Sequence, residues 1–431
     1  MAGRGSLIRD GDRLVSELSM PVTEPSNRDL PAPPSPPPSP VPPVALPLGV
    51  AMLTLVLTYW CVDIVSPALP DIQRSLALSG TGAGLVFALF FAGRLVTNLP
   101  AAFLVDRVGP RWTATLGAGL LLAGSALAAL APGESTLLPA RGLQGTGVAL
   151  LATAGLLSVL RGLPAGGAAM TAFNVATGVG GSAGLLSGGW LTDTISWRAV
   201  FWLSAGLGLA LLTGSVLART RAAALRAGDR PSDAPDLPPP VRPRGALAGA
   251  LAANLLVYGN YSIWVVSLSL YVTSSFGADA AAIGTLLLVI NAVHLLAAVP
   301  AGRFIRRFGA MRALAASFAM TALGLALVRV APDQGWLLAP MALYAVGQVA
   351  GNSAAGDLLL RLGGHGGRAV GLVRLTSDVG LVAGPAAVGL LADTAGVGAP
   401  FVALAALSAA AAIAAWRSRP PTVRIASPMP D

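Results

Sequence analysis

Six charged side chains stand inside long apolar stretches of this 431-residue chain: Asp63, Arg94, Arg141, Asp357, Arg374 and Asp378. A charge near the centre of a bilayer costs about 2.5–3.5 kcal/mol on insertion scales, so each needs a partner or a task. The chemistry within their reach is proton exchange and ion pairing. A carboxylate beside an arginine gains or loses a proton as wetting and the charge of a bound molecule move its pKa. Arg374 and Asp378 are also four residues apart, neighbours on one helix face. Other chemistries lack their residues. All 28 basic residues are arginine, so a phosphate-binding loop ending in Gly-Lys-Ser/Thr is absent and no ATP-driven reading survives. His294 and His365 are the only histidines and Cys61 the only cysteine, which gives no metal cluster, haem site or disulfide framework. Neither an enzyme nor a cofactor is expected.

The elements that must position these charges are membrane helices. The chain is 54% hydrophobic and 11% charged, with a mean hydropathy of +0.71, where a soluble protein carries roughly 25% charged residues. Its apolar runs are continuous rather than alternating, which fits helices and not a barrel. Twelve runs are expected, at 46–66, 82–104, 112–131, 137–160, 167–190, 198–217, 246–272, 280–302, 313–331, 337–359, 368–391 and 399–416. Alternate loops hold eighteen arginines, the opposite loops only Arg74, Arg198 and Arg329. Basic residues stay on the cytoplasmic side, so both termini are expected there. The net charge of +9 is therefore topology and not a nucleic-acid surface. Exclusive arginine usage with abundant Ala, Gly and Leu suggests a GC-rich bacterial genome, and with it the bacterial inner membrane.

The expected division is a Pro-rich cytoplasmic tail over 1–44, a six-helix bundle over 45–217, a polar linker over 218–245, a second six-helix bundle over 246–417 and a tail over 418–431. The first tail cannot bury a core and lacks the charge, apolar stretch and cleavage pattern of a signal peptide. An internal repeat supports the two bundles. Asp106, Arg107, Gly109 and Arg111 form a short charged link between runs two and three, and 200 residues later Gly302, Arg306, Arg307 and Gly309 stand in the equivalent link. The stretch Ala183–Asp193 likewise lies over Ala383–Asp393. A constant offset of this kind marks a duplicated unit, inserted in parallel orientation. Asp106, Arg107, Gly109 and Arg111 are expected to latch two helices at the cytoplasmic face.

This pattern resembles the major facilitator superfamily. Leu104, Asp106, Arg107, Gly109 and Arg111 match its signature between helices 2 and 3, with Ala102 in place of the leading glycine and Pro110 in place of an arginine. Three further stretches resemble its drug:proton antiporter branch: Asp63–Ile72, Arg141–Gly147, and Gly180–Gly189, the last with Leu185 where a proline is expected. The resemblance implies an all-α integral membrane protein of twelve transmembrane helices in two parallel-repeat six-helix bundles. It implies Asp63 as the protonation site tuned by Arg141, with Asp378 as a second candidate proton carrier. Arg94 and Asp378 would face each other between the halves, either as a switching pair or a static one. Asp357 and Arg374 would join an inner gate, against which stands a simple solvated pair.

Gly180, Gly184, Gly188 and Gly189 would pack tightly against the eighth run, structurally or as a seal between halves. Gln348 and Asn352 are expected to meet substrate first, with Tyr258 and Tyr261 (and Trp264) stacking on a flat, apolar molecule or anchoring the helix. The expected partners are protons, lipid and a small molecule, for a monomer that exports amphipathic organic compounds by proton antiport. An uptake symporter of the same fold and a non-transporting membrane sensor are the alternatives.

Overall fold

The computed structural model describes residues 44–163, 167–217, 221–222, 244–363 and 367–418. The tail over 1–43 and most of the linker and of the C-terminal tail lie outside the described residues. The architecture is helical, apart from a two-residue antiparallel pairing of Val44–Ala45 with Arg221–Ala222. Among the described residues nine helices are long and apolar enough to cross a membrane.

The helix of the first run is shorter than the run itself. Helix α1 covers Leu48–Asp63, only 16 residues, and the chain turns through Ile64–Ala68 before the short α2, Leu69–Ser75. Next comes α3, Gly80–Ala129, which carries runs two and three and is broken at Gly109, where φ is +84°. Helices α4, Glu134–Gly162, α5, Gly167–Thr194, and α6, Trp197–Leu217, complete the first half of the chain.

The second half repeats this order. Helix α7, Arg244–Ser262, runs into a π-helical turn, Ile263–Ser267, and then α8, Leu268–Phe276. Helices α9, Ala280–Phe308, and α10, Ala310–Val328, are separated by Gly309 at φ +84°. Helices α11, Leu338–Gly363, α12, Gly367–Ala395, and α13, Ala399–Arg417, follow. Gly109 and Gly309 thus adopt the same left-handed backbone in equivalent links. Glycine is the residue that does so without a steric cost.

The glycines of α5 meet a different partner from the one expected. Gly180, Gly184 and Gly188 face the backbone carbonyls of Val56 and Trp60 on α1 and of Ile64 just after it, while Gly178 and Gly189 face the eighth run, at Leu295 and Ala280 of α9. The repeat explains both contacts. In the second half Gly380 and Gly384 face Leu255 and Gly259 of α7, while Gly389 faces Gly80 of α3. A face of small residues lets two helix backbones approach closely. Each half therefore packs its fifth run on its own first run, and the same helix also packs along a helix of the other half, α5 on α9 through Gly178, Ser182 and Gly189 and α12 on α3 through Pro385 and Gly389.

The exterior is apolar, with Val96, Leu296 and Trp416 among its most exposed side chains. Among the described residues two charged side chains are buried: Arg141 fully, and Asp378, which is 6% exposed.

Candidate functional site

A cavity of about 310 Å³ opens between the two halves, and charged and aromatic side chains from both line it. Helix α1 contributes Tyr59 and Asp63, α3 Phe91 and Arg94, and α7 Tyr258 and Tyr261, with Trp264 from the π turn. Asn291 and His294 come from α9, and Tyr344, Gln348 and Asn352 from α11.

Asp63 ends α1, and its carboxylate is held from the opposite half. The Tyr261 hydroxyl donates to Asp63 Oδ1 at 3.0 Å. The other oxygen, Oδ2, sits over Gly181, where a methyl group would approach to 2.6 Å. Gly181 therefore makes the space that the carboxylate occupies. Arg141 does not meet Asp63 in this arrangement, and among the described residues no ion pair joins them. Arg141 donates to the Val86 carbonyl at 3.0 Å and to Gln144 Oε1 at 2.7 Å, and it stacks 4.4 Å from the Phe90 ring. Gln144 in turn donates to Ser125 Oγ at 2.7 Å. The arginine is a cross-brace inside the first half, with its Nη2 left without a partner among the described residues.

Arg94 and Asp378 come together across the halves, with Nη2 and Oδ1 3.6 Å apart. Asn98 donates to the other oxygen of Asp378 at 2.5 Å. This acid is thus doubly compensated. Asp357 instead pairs along its own helix with Arg361 at 2.8 Å. The expected partner Arg374 is exposed, so the anticipated inner network is not formed here; the i, i+4 spacing on α11 offers the acid a nearer cation.

Gln348 spends its amide on the Val257 carbonyl at 3.1 Å and on Tyr344 Oη at 3.3 Å. Asn352 keeps a buried Oδ1 without a partner among the described residues. Tyr59, Phe91 and Tyr344 were not singled out in the sequence, yet each lies three or four residues before a singled-out residue: Asp63, Arg94 and Gln348. That helical spacing puts each pair on one face. Asn254 and Asn260 staple α7 to α12 and α13 through Thr376, Ser377 and Ser408, away from the cavity wall.

At the Gly109 link, Asp106 lies 4.0 Å from Arg161 of α4 and is largely exposed. Arg107 stacks on Phe103 at 4.4 Å. Arg111 donates to the Ser215 carbonyl at 3.1 Å and also to that of Val216. It thereby satisfies carbonyls left open at the end of α6. At the opposite end of the molecule burial raises the carboxyl of Asp71 above its usual range, against the pull of Arg74 at 2.6 Å.

The model of the Major Facilitator Superfamily matches residues 51–251 and 249–429. Among curated proteins, the multidrug resistance protein Stp of Mycobacterium tuberculosis is 35% identical over 152 residues, which are 35% of this chain and 28% of that protein. The puromycin resistance protein of Streptomyces alboniger is 35% identical over 157 residues, 35% of this chain and 31% of that one. The matched stretch is under a third of either relative's length. Among solved structures, the nucleoside transporter NupG superposes with a TM-score of 0.68 at 14% identity, covering 86% of this chain and 100% of that one. A bacterial homologue of the human lysosomal transporter Spinster, inward-facing and unoccupied, gives 0.68 at 16%, covering 86% and 96%. With family matches over both halves of the sequence and an all-helical fold shared with solved transporters, the chain belongs to the Major Facilitator Superfamily.

Proposed function

We propose that this protein is a proton-coupled secondary transporter of a bacterial inner membrane, which exports a small amphipathic organic compound by antiport. The observation that carries this reading is the cavity between the halves, where Asp63, the one acid that lines it among the described residues, has no cation within ion-pair distance there and is surrounded by aromatic rings. An intramembrane acid of that kind is a proton site by default. An inward proton releases about 2.3 kcal/mol per 100 mV of membrane potential, which drives expulsion of the compound. The names of the two resistance proteins that the chain resembles support export.

In this reading the twelve runs all span the membrane, both termini are cytoplasmic, and two six-helix bundles rock about the cavity. Asp193 and Asp393 then lie at the outer face, and the Gly109 and Gly309 links at the inner one. Hydrogen bonds between the halves concentrate toward the outer end. Among the described residues none lies further inward than Asn98–Asp378. The arrangement corresponds to a carrier closed outside. Gln348, Asn352, Tyr258 and Tyr261 would meet the substrate, and the protein would act as a monomer.

The test uses inverted membrane vesicles energised to be acid inside. Adding a panel of candidate compounds is expected to collapse the pH gradient with the wild type and at least tenfold less with Asp63→Asn. Equal collapse by both proteins would remove Asp63 as carrier and leave Asp378. Accumulation of compound by intact cells, driven by external acid, would make the protein a symporter.

A further inference from the structure

The end of helix α1 and the turn after it are tied to the opposite half by two hydrogen-bonded contacts three residues apart, and only one of them can respond to a proton. Ser66 Oγ donates to the carbonyls of Trp264 and Val265, at 3.2 Å each. Those carbonyls belong to the π turn Ile263–Ser267, whose wider hydrogen-bond pattern exposes backbone oxygens to outside donors. This contact is neutral at both ends. The other is the 3.0 Å bond from Tyr261 to Asp63, immediately before the same π turn. Its acceptor is a carboxylate, and hydrogen bonds to an ionised acceptor are roughly twice as strong as neutral ones.

We infer that Tyr261 is a positioning residue that locks the empty, deprotonated carrier closed at its outer face, so that the carrier returns outward only after substrate has displaced the tyrosine from Asp63. This rests on the antiport reading, which creates the need for such a lock. An exchanger that reoriented empty would admit protons without exporting anything. The bond supplies the restriction by its chemistry. With Asp63 charged, α1 and α7 are joined by a charge-assisted bond that must break before the outer ends part. With a proton bound from the outer solution, the acid accepts more weakly and the halves are free to rock. On arrival inside, the proton leaves to water and the bond re-forms.

The surroundings leave the bond in control. The titratable and charged groups that line the cavity with Asp63 are Tyr59 on its own helix, Arg94 from α3, Tyr258 from α7, His294 from α9 and Tyr344 from α11. Helix α5 presents Gly181, and of the charged groups of α12 Asp378 is already paired with Arg94 while Arg374, one turn further inward, is exposed. No cation stands within ion-pair distance of Asp63 among the described residues.

The experiment uses the full protein in liposomes, with spin labels on Ile195→Cys and Val330→Cys in a Cys61→Ala background. Wild type is compared with Tyr261→Phe, which keeps the ring that packs on Phe91, and with Ser66→Ala. At pH 8 the wild type is expected to show one short inter-label distance, with a longer one appearing as the pH falls. Tyr261→Phe is expected to populate the long distance at pH 8 by about tenfold more than wild type, and to admit protons into substrate-free liposomes. Ser66→Ala removes the neighbouring neutral contact, so it is expected to keep the pH dependence. A Tyr261→Phe distance distribution and proton leak identical to wild type would overturn the lock. Antiport is judged separately, by gradient collapse with the wild type. Collapse with an unaltered Tyr261→Phe leaves antiport standing and the lock refuted. A Tyr261→Phe shift without any collapse leaves the lock standing and antiport refuted.

Discussion

Two acids, Asp63 and Asp378, face the middle of this molecule, and they differ in what compensates them. Asp378 has Arg94 at 3.6 Å and the Asn98 amide at 2.5 Å, whereas Asp63 has one hydroxyl. Breaking a buried ion pair leaves the remaining charge uncompensated. Asp378 is therefore expected to act chiefly as a structural and switching partner. Asp378→Ala should lower stability by about 1–3 kcal/mol, a discounted range because Arg94 is 21% exposed. The double variant with Arg94→Ala should recover part of that loss, measured by thermal unfolding in detergent. Additive losses would mean that the two groups do not interact. Gly181 makes a second point at this scale. A methyl group there would lie 2.6 Å from Asp63 Oδ2. Gly181→Ala is expected to leave folding intact but to displace the carboxylate, lowering the rate of proton-driven transport at least tenfold. An unchanged rate would show that the acid has room to move.

Two helices begin on carboxylates supplied by the other half of the chain. Asp193, at the end of α5, accepts from the amides of Ala280 and Ala281 at 3.0 and 2.6 Å. Asp393, at the end of α12, accepts from those of Gly80 and Thr81 at 2.5 and 2.7 Å. Open amides and the helix dipole both favour an anion at that position. Each cap is worth about 1 kcal/mol, by analogy with ordinary N-caps. Asp193→Ala and Asp393→Ala are each expected to lengthen the outer distance between labels at Ile195 and Val330, and the double variant to do so most. No lengthening would make these caps incidental to closure. The sequence displayed half of this device. The 200-residue offset aligns Asp193 with Asp393 and Gly80 with Ala280, but no local rule says that one member of a pair reaches the start of a helix in the other half. The same limit explains Asp63 and Tyr261, which are 198 residues apart. Their types marked them as candidates, while their meeting depends on how α1 crosses α7. Arg141 shows the converse: the resemblance set it beside Asp63, but the nearer Gln144 and Val86 take its hydrogen bonds.

At the scale of the whole molecule the duplication and the arginine asymmetry make one joint claim that labelling can test. Gly109 and Gly309 have φ of +84° in equivalent links, so the two turns share one face of a parallel repeat. The turns that carry Ile195 and Val330 are at the opposite ends of the helices. If basic residues mark the cytoplasm, the Gly109 face is inside. Cysteines at Ile195 and Val330, both well exposed, should react with a membrane-impermeant maleimide in intact cells. Cysteines at Val108 and Phe308, exposed beside the glycine links, should react only after the cells are opened. The reverse pattern would place the arginine-rich links outside and invert the proton's direction through the Asp63 cavity. A mixed pattern, with Val108 and Phe308 on opposite sides, would break the parallel repeat itself. The structural equivalence of the two glycine links argues against that outcome, because two turns of identical hand at the same step of a duplicated unit emerge on the same side of a membrane.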